Sequence, residues 1–257
     1  MNPKGFILFD IDGVIRDVSE SYRLAVKHTV DHFCNHKVDM EEIDILKSEG
    51  IWNNDWKVSY ELIKRKGTKI LPEFDEVVEI FNNFYFGNNL NRKSEKWDGF
   101  IKNEQLLVEK RFFDEILENK FLYGFVSGAE LVSAKFVLEE RLKLDRPQII
   151  AMEDAPEKPD PSGLIEIAEK LAGKKLGSKV APIFYLGDTV ADVLTIKNAK
   201  KRIPSQKFIS IGICPPHLEL VGQEKNKLKY ESNLINAGAE ILLSSSSNLL
   251  KSIKNYI

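Results

Sequence analysis

Four short clusters in this 257-residue chain bring together groups able to act on a phosphate ester: Asp10-Ile-Asp12-Gly13-Val14, Ser127-Gly128, Lys158-Pro159-Asp160-Pro161, and Gly187-Asp188 with Asp192 four residues on. Such an ester is dianionic and repels nucleophiles, so a carboxylate attacks it well only where cations neutralise the charge. Lys158 offers one point charge, both to a phosphoryl group and to carboxylates that would otherwise repel one another. A site rich in carboxylates also suits a hard cation with oxygen ligands. Magnesium is such a cation, keeping several waters and taking few protein groups, with Asp10 and Asp188 as its expected side-chain ligands. Ser127 and Gly128 are expected to open a helix, where a hydroxyl and backbone N–H groups can face a phosphate oxygen. Asp160 before Pro161 reads as a structural helix cap, and Glu153 and Asp154 lie near the same rim without an assigned role.

Strands must carry these clusters. Gly5 to Asp10 is an apolar run ending in a polar turn, which is how a strand buried on both faces of a parallel sheet reads. Phe121 to Ser127, Gln148 to Met152, Pro182 to Asp188 and Lys207 to Ile213 repeat the pattern, with helical periodicity between them. The alternation predicts an α/β fold with a Rossmann-like, doubly wound parallel sheet, whose active site gathers at the carboxyl ends of the strands. Between the first two strands lies a helical stretch far longer than a crossover needs, so residues 17–104 are expected to form an inserted helical domain, leaving 1–16 and 105–257 as the core. Asp17 and Glu20 have capping-box spacing for its first helix, and Tyr22, Val26, Val30 and Phe33 supply an apolar stripe.

The order D-x-D-G, Ser, K-P, G-D-x-x-x-D at strand ends resembles the four-motif signature of the haloacid dehalogenase superfamily, over Asp10 to Asp192, with the insert where a subfamily IA-like helical cap belongs. The resemblance implies a magnesium-dependent phosphohydrolase. Asp10 would be the nucleophile, forming an aspartyl phosphate that water cleaves. Asp12 would be the general acid and then the base, with its backbone carbonyl completing the metal's protein ligands. Ser127, Gly128 and Lys158 would hold the phosphoryl group, and Asp192 would reach the metal through water or support Lys158. True dehalogenases lack the second aspartate, so Asp12 argues against that chemistry. Phosphomutases of the β-phosphoglucomutase type and phosphoglycolate-phosphatase-like enzymes share all four motifs and stay open as alternatives; a non-catalytic binding protein would be expected to have lost one of Asp10, Asp12, Lys158 or Asp188. The opening DIDGVIRDVSESYR and the segment GIWNNDWK resemble a narrower branch, some of whose members are fused to imidazoleglycerol-phosphate dehydratase. That branch often has Thr-Gly-Arg as its second motif where this chain has Ser127-Gly128-Ala129, so a substrate contact from that arginine is not implied. Arg16 and the group Asn53, Asn54 and Asp55 are expected to read the leaving group, and Trp52 and Trp56 to pack the cap.

Acidic and basic residues nearly cancel, 39 against 37, so no global field recruits nucleic acid or an anionic membrane, and the expected partner is a small phosphorylated metabolite. No segment approaches a membrane span and the first apolar stretch is too short for a secretory signal, which predicts a cytoplasmic protein. Cys34 and Cys214 form no C-x-x-C pair and read as free thiols. His28, His32 and His36 share a helical face, but no carboxylate base sits between the first two, so a solvated stripe is expected rather than zinc. Substrate identity and oligomeric state are left open.

Overall fold

Five apolar residues, Gly5–Phe9, form β1, and every one is buried, because alternate side chains enter two different cores. In the computed structural model, which describes residues 3–34, 37–52, 54–87 and 94–256 apart from the Glu95 side chain, β1 leads through β2 (Arg16–Asp17) into helices α1 (Tyr22–Phe33), α2 (Met40–Lys47), α3 (Asp55–Lys66) and α4 (Phe74–Phe86). The chain returns by β3 (Gln105–Leu106). Helices and strands then alternate: α5 (Lys110–Glu118), β4 (Phe121–Val126), α6 (Leu131–Lys135), β5 (Ile149–Ile150), α7 (Ser162–Ala172), β6 (Ile183–Gly187), α8 (Val190–Arg202), β7 (Phe208–Ile213), α9 (Glu224–Ala237), β8 (Ile241–Leu243) and α10 (Leu249–Ser252). By its contacts the chain divides into two compact units, Met1–Arg16 with Leu106–Ile257, and Asp17–Gln105.

The first unit is built on a six-stranded sheet of order β5-β4-β1-β6-β7-β8 among the described residues, parallel at every pairing. Ile7 and Phe9 face one core with Phe113, Ile116, Val137 and Leu249, whereas Phe6 and Leu8 face the other with Leu164, Ile167 and Ile196. Helices therefore cover both faces, as the alternating pattern predicted. From β1 the chain winds first toward β4 and β5, then toward β6, β7 and β8, so the winding reverses between β1 and β6. A crevice opens at the carboxyl ends of the strands at such a switch point, and both Asp10 and Asp188 directly follow strands that flank it. The sixth strand, β8, lies outside the sequence expectation. It has only three residues, two of them half-exposed, too short for an apolar run to announce.

The second unit contains α1 to α4. Tyr22, Val26 and Val30 bury the apolar stripe of α1, and Tyr22 stacks on Tyr85 of α4 with ring centroids 4.1 Å apart. Its start differs from the expected capping box: Asp17 Oδ1 accepts from Ser19 N at 2.9 Å and closes a turn, so α1 begins only after Ser21. Glu104 is buried here and accepts from the Ser21 and Tyr85 hydroxyls at 2.8 and 3.0 Å. No helix among the described residues is long and apolar enough to cross a membrane.

Candidate active site

Asp10 directly follows β1 and its backbone N–H donates to Leu186 O of β6 at 2.9 Å, which brings the first and fourth motifs together. Asp10, Asp188 and Asp192 are all buried, and each offers a carboxylate oxygen within 4.8 Å of the others. Lys158 is buried among them. Its Nζ stands 2.9 Å from Asp10 Oδ1 and 2.7 Å from Asp192 Oδ1. Two glycines make this approach possible. Gly13, at φ +74°, occupies a left-handed turn where a Cβ would collide with the Asp188 carboxylate, and a Cβ on Gly187 would collide with Asp192. Thr189 and Asp192 form a reciprocal cap at the start of α8, so the same carboxylate begins a helix and faces Lys158. Asp192 is thus a buried helix-start residue.

Burial is costly for these charges, and the cluster is unbalanced, with three carboxylates around one ammonium. Desolvation pushes the Asp10 carboxyl up to about 7; Lys158 opposes this, while Asp192 and Asp12 add to it. Asp192 is desolvated too, yet the ammonium of Lys158 and the Thr189 hydrogen bonds hold it below the usual carboxylate range. Burial would lower Lys158, but Asp10 and Asp192 outweigh it and raise the ammonium above its ordinary value. Excess buried negative charge, presented by oxygen atoms close enough to share one ion, is a donor set that fits a hard divalent cation.

Asp12 lies outside this inner group. Its Oδ1 accepts from Arg16 Nε at 2.6 Å, and Arg16 NH1 donates to Ser133 Oγ at 2.8 Å. Arg16 is fully buried, so it does not present itself to a leaving group as the sequence suggested; its guanidinium folds back into the core unit. Ser127 is buried at the end of β4, next to β1, and its Oγ accepts from Ala129 N at 3.1 Å. The helix beyond it starts later than expected, at Leu131, so the Ser127-Gly128 pair belongs to the turn and not to a helix N-terminus. α7 starts at Ser162, one residue later than anticipated, with Pro161 as its N-cap; Asp160 Oδ1 accepts from Ser162 N at 2.8 Å, and Asp154 Oδ2 accepts from Ala151 N at 2.8 Å.

Sequence reading missed Tyr185. Its hydroxyl sits 2.9 Å from Asp192 Oδ1 and 3.1 Å from Val126 O, and burial followed by the nearby Asp192 raises it well above its ordinary value. A tyrosine inside an apolar strand needs a hydrogen-bond partner for its hydroxyl, which was the available signal. In the second unit Asn54 is the buried N-cap of α3, accepting from Trp56 N and Lys57 N, and Asp55 pairs with Lys47 at 2.8 Å. Both residues thus serve the local fold of this unit, and Asn53 lies outside the described residues. Trp52 Nε1 donates to Glu49 at 2.6 Å under the guanidinium of Arg65, and Trp56 is half-buried. His28 and His32 are exposed as expected, and His36 lies outside the described residues. Cys34 and Cys214 are free and buried.

No family model matches the chain. Imidazoleglycerol-phosphate dehydratase of Phytophthora nicotianae is 31% identical over 204 residues, 77% of this chain but 42% of that protein, so the chain spans less than half of this relative's length. Pyrophosphatase PpaX of Bacillus velezensis is 23% identical over 199 residues, 75% of this chain and 78% of the relative. Among solved structures, a phosphonoacetaldehyde hydrolase-like protein from Oleispira antarctica superposes with TM-score 0.72 and 15% identity over 99% of this chain and 92% of its own. A haloacid dehalogenase-like protein from Agrobacterium tumefaciens superposes with TM-score 0.63 and 14% identity, covering 98% of both chains. The class is thus an α/β fold with a parallel, doubly wound core. In fold the chain is similar to these haloacid dehalogenase-like and phosphonoacetaldehyde hydrolase-like proteins.

Proposed function

We propose that the chain is a phosphoric monoester hydrolase acting on a small phosphorylated metabolite, with residues 1–16 and 105–257 as the catalytic core and 17–104 as its helical cap. The observation that carries this reading is the convergence of Asp10, Asp188 and Asp192 on one point beside the buried Lys158. Resemblance of the chain to a pyrophosphatase and a phosphonoacetaldehyde hydrolase-like protein supports the choice of phosphoryl chemistry. Asp10 is the nucleophile, since its carboxylate follows the central strand and faces the only ammonium of the cluster among the described residues. Asp188 and Asp10 would hold a magnesium ion through their side chains, with the Asp12 backbone carbonyl, and Asp192 supports Lys158. When bound, that ion neutralises phosphoryl charge and lets a carboxylate approach it. Lys158 screens the phosphoryl oxygens and keeps Asp10 oriented, while Ser127 and Gly128 contribute hydroxyl and backbone donors. Asp12 gives a proton to the departing oxygen and then takes one from water.

Phosphate release from p-nitrophenyl phosphate with magnesium tests the reading directly. Asp10→Asn should abolish it, and retained turnover would refute the assignment. Transfer of phosphate to a sugar phosphate without net release would instead identify a mutase.

A further inference from the structure

We propose that Arg16 is the positioning residue for the proton-transferring carboxylate of Asp12, an inference that rests on the phosphohydrolase reading above. The turn after β1 closes on itself: Gly13 N donates to Arg16 O at 2.9 Å, Arg16 N donates to Ile11 O at 3.1 Å, and Asp12 pairs with Arg16 as an isolated bridge. The Arg16 side chain returns across that turn. Its Nε meets Asp12 Oδ1 at 2.6 Å, and NH1 meets Ser133 Oγ of α6 at 2.8 Å. One guanidinium therefore spans two elements of the core unit, and its planar fork fixes a direction that a lysine ammonium would not. Arg16 is fully buried, whereas the Asp12 side chain keeps about a quarter of its surface open (23%). This is the arrangement of a held group and its holder: the partly exposed carboxylate is aimed by a buried cation that substrate need not touch.

Occupation of Oδ1 has a chemical consequence. In the protonated acid Oδ1 is the carbonyl oxygen accepting the Nε–H, so the proton resides on Oδ2. As the Asp10–phosphorus bond forms and the ester P–O bond breaks, that proton passes from Oδ2 to the departing oxygen. In the second half, the bond between water oxygen and phosphorus forms while the Asp10–phosphorus bond breaks. One water proton then returns to Oδ2, and the other stays on the released phosphate. Without Arg16 the carboxyl group rotates freely, and the loss falls on leaving groups that need a proton to depart.

Leaving-group dependence is the readout, because a merely structural role does not alter it. Turnover of p-nitrophenyl phosphate, phenyl phosphate and an alkyl phosphate is compared in the wild type, Arg16→Met, Arg16→Lys and Ser133→Ala. Arg16→Met should lower kcat by about tenfold more on the alkyl ester than on the p-nitrophenyl ester. Ser133→Ala should show the same trend more weakly, and Arg16→Lys should recover part of the alkyl activity. Equal losses on all three esters would overturn the assignment. If Arg16→Met does not fold, the lysine and serine variants decide by the same criterion. A wild type inactive on every ester removes the phosphohydrolase reading and this inference with it, whereas an active wild type with uniform losses removes this inference alone.

Discussion

The two units handle buried charge in opposite ways. In the core unit three carboxylates, Asp10, Asp188 and Asp192, crowd one ammonium, and burial drives Asp10 up to about 7. In the helical unit charges come mostly as balanced pairs: Arg65 with Glu49 at 2.7 Å, Lys66 with Glu42 at 2.9 Å, Lys47 with Asp55 at 2.8 Å and the buried Arg23 with Asp44 at 2.7 Å. Its buried Glu104 receives two hydroxyl hydrogen bonds instead. Balanced pairs contribute modestly to stability, while an unbalanced buried cluster opposes it and persists only where the surrounding fold holds it. The difference separates an unbalanced buried cluster, which a bound cation would neutralise, from charges already paired within the helical unit.

Substitutions can break this contrast, starting with the largest effects. Asp10→Asn should reduce phosphate-ester turnover by at least about a thousandfold, measured by phosphate release. Lys158→Met strands two buried acids and should cost roughly 3–5 kcal/mol in chemical denaturation, along with most of the activity. The metal-free protein should carry a pH signature of its own. The folded state keeps the Asp10 proton up to about pH 7, whereas an unfolded aspartate releases it near 3.8, so between these values the folded state binds more protons. Its stability should therefore fall as pH rises through that window, and Asp10→Asn should flatten the decline in a denaturation series across pH.

Magnesium sharpens the comparison from the other side. At a concentration about a hundred times its Kd it should add about 2.7 kcal/mol to unfolding, seen as a rise in Tm, and Asp188→Asn should erase the shift. Smaller effects belong to the helical unit. Tyr85→Phe removes one hydroxyl from Glu104 and should cost about 1 kcal/mol. Arg65→Ala removes surface ion pairs and a guanidinium contact with Trp52, and its stability change should stay within about 1 kcal/mol.

The core could be read from sequence because its strands are buried on both faces and end abruptly in polar residues, as Phe9 to Asp10 and Gly187 to Asp188 do. Apolar runs and a four-part motif order survive any rotation of side chains. Partners across space do not. Nothing local in the sequence joins Arg16 to Ser133, 117 residues away, or sends the Tyr185 hydroxyl to Asp192. Helix starts failed for a related reason: Asp17 and Ser127 each bond the backbone two residues on, and such short turns compete with the helix cap that the same residue types suggest. Asn54 and Asp55 looked chemical because they are polar and flank tryptophans, yet capping and ion pairing use the same polarity. Strand β8 was too short to announce itself.

The turn at Gly13 acts as a spacer defined by a missing atom. The Asp188 carboxylate occupies the volume where a side chain would begin, so the gap between the ends of β1 and β6 is set by the smallest residue the genetic code offers. Even Gly13→Ala would combine a disfavoured backbone with that collision, and the carboxylates would have to part before the turn could form.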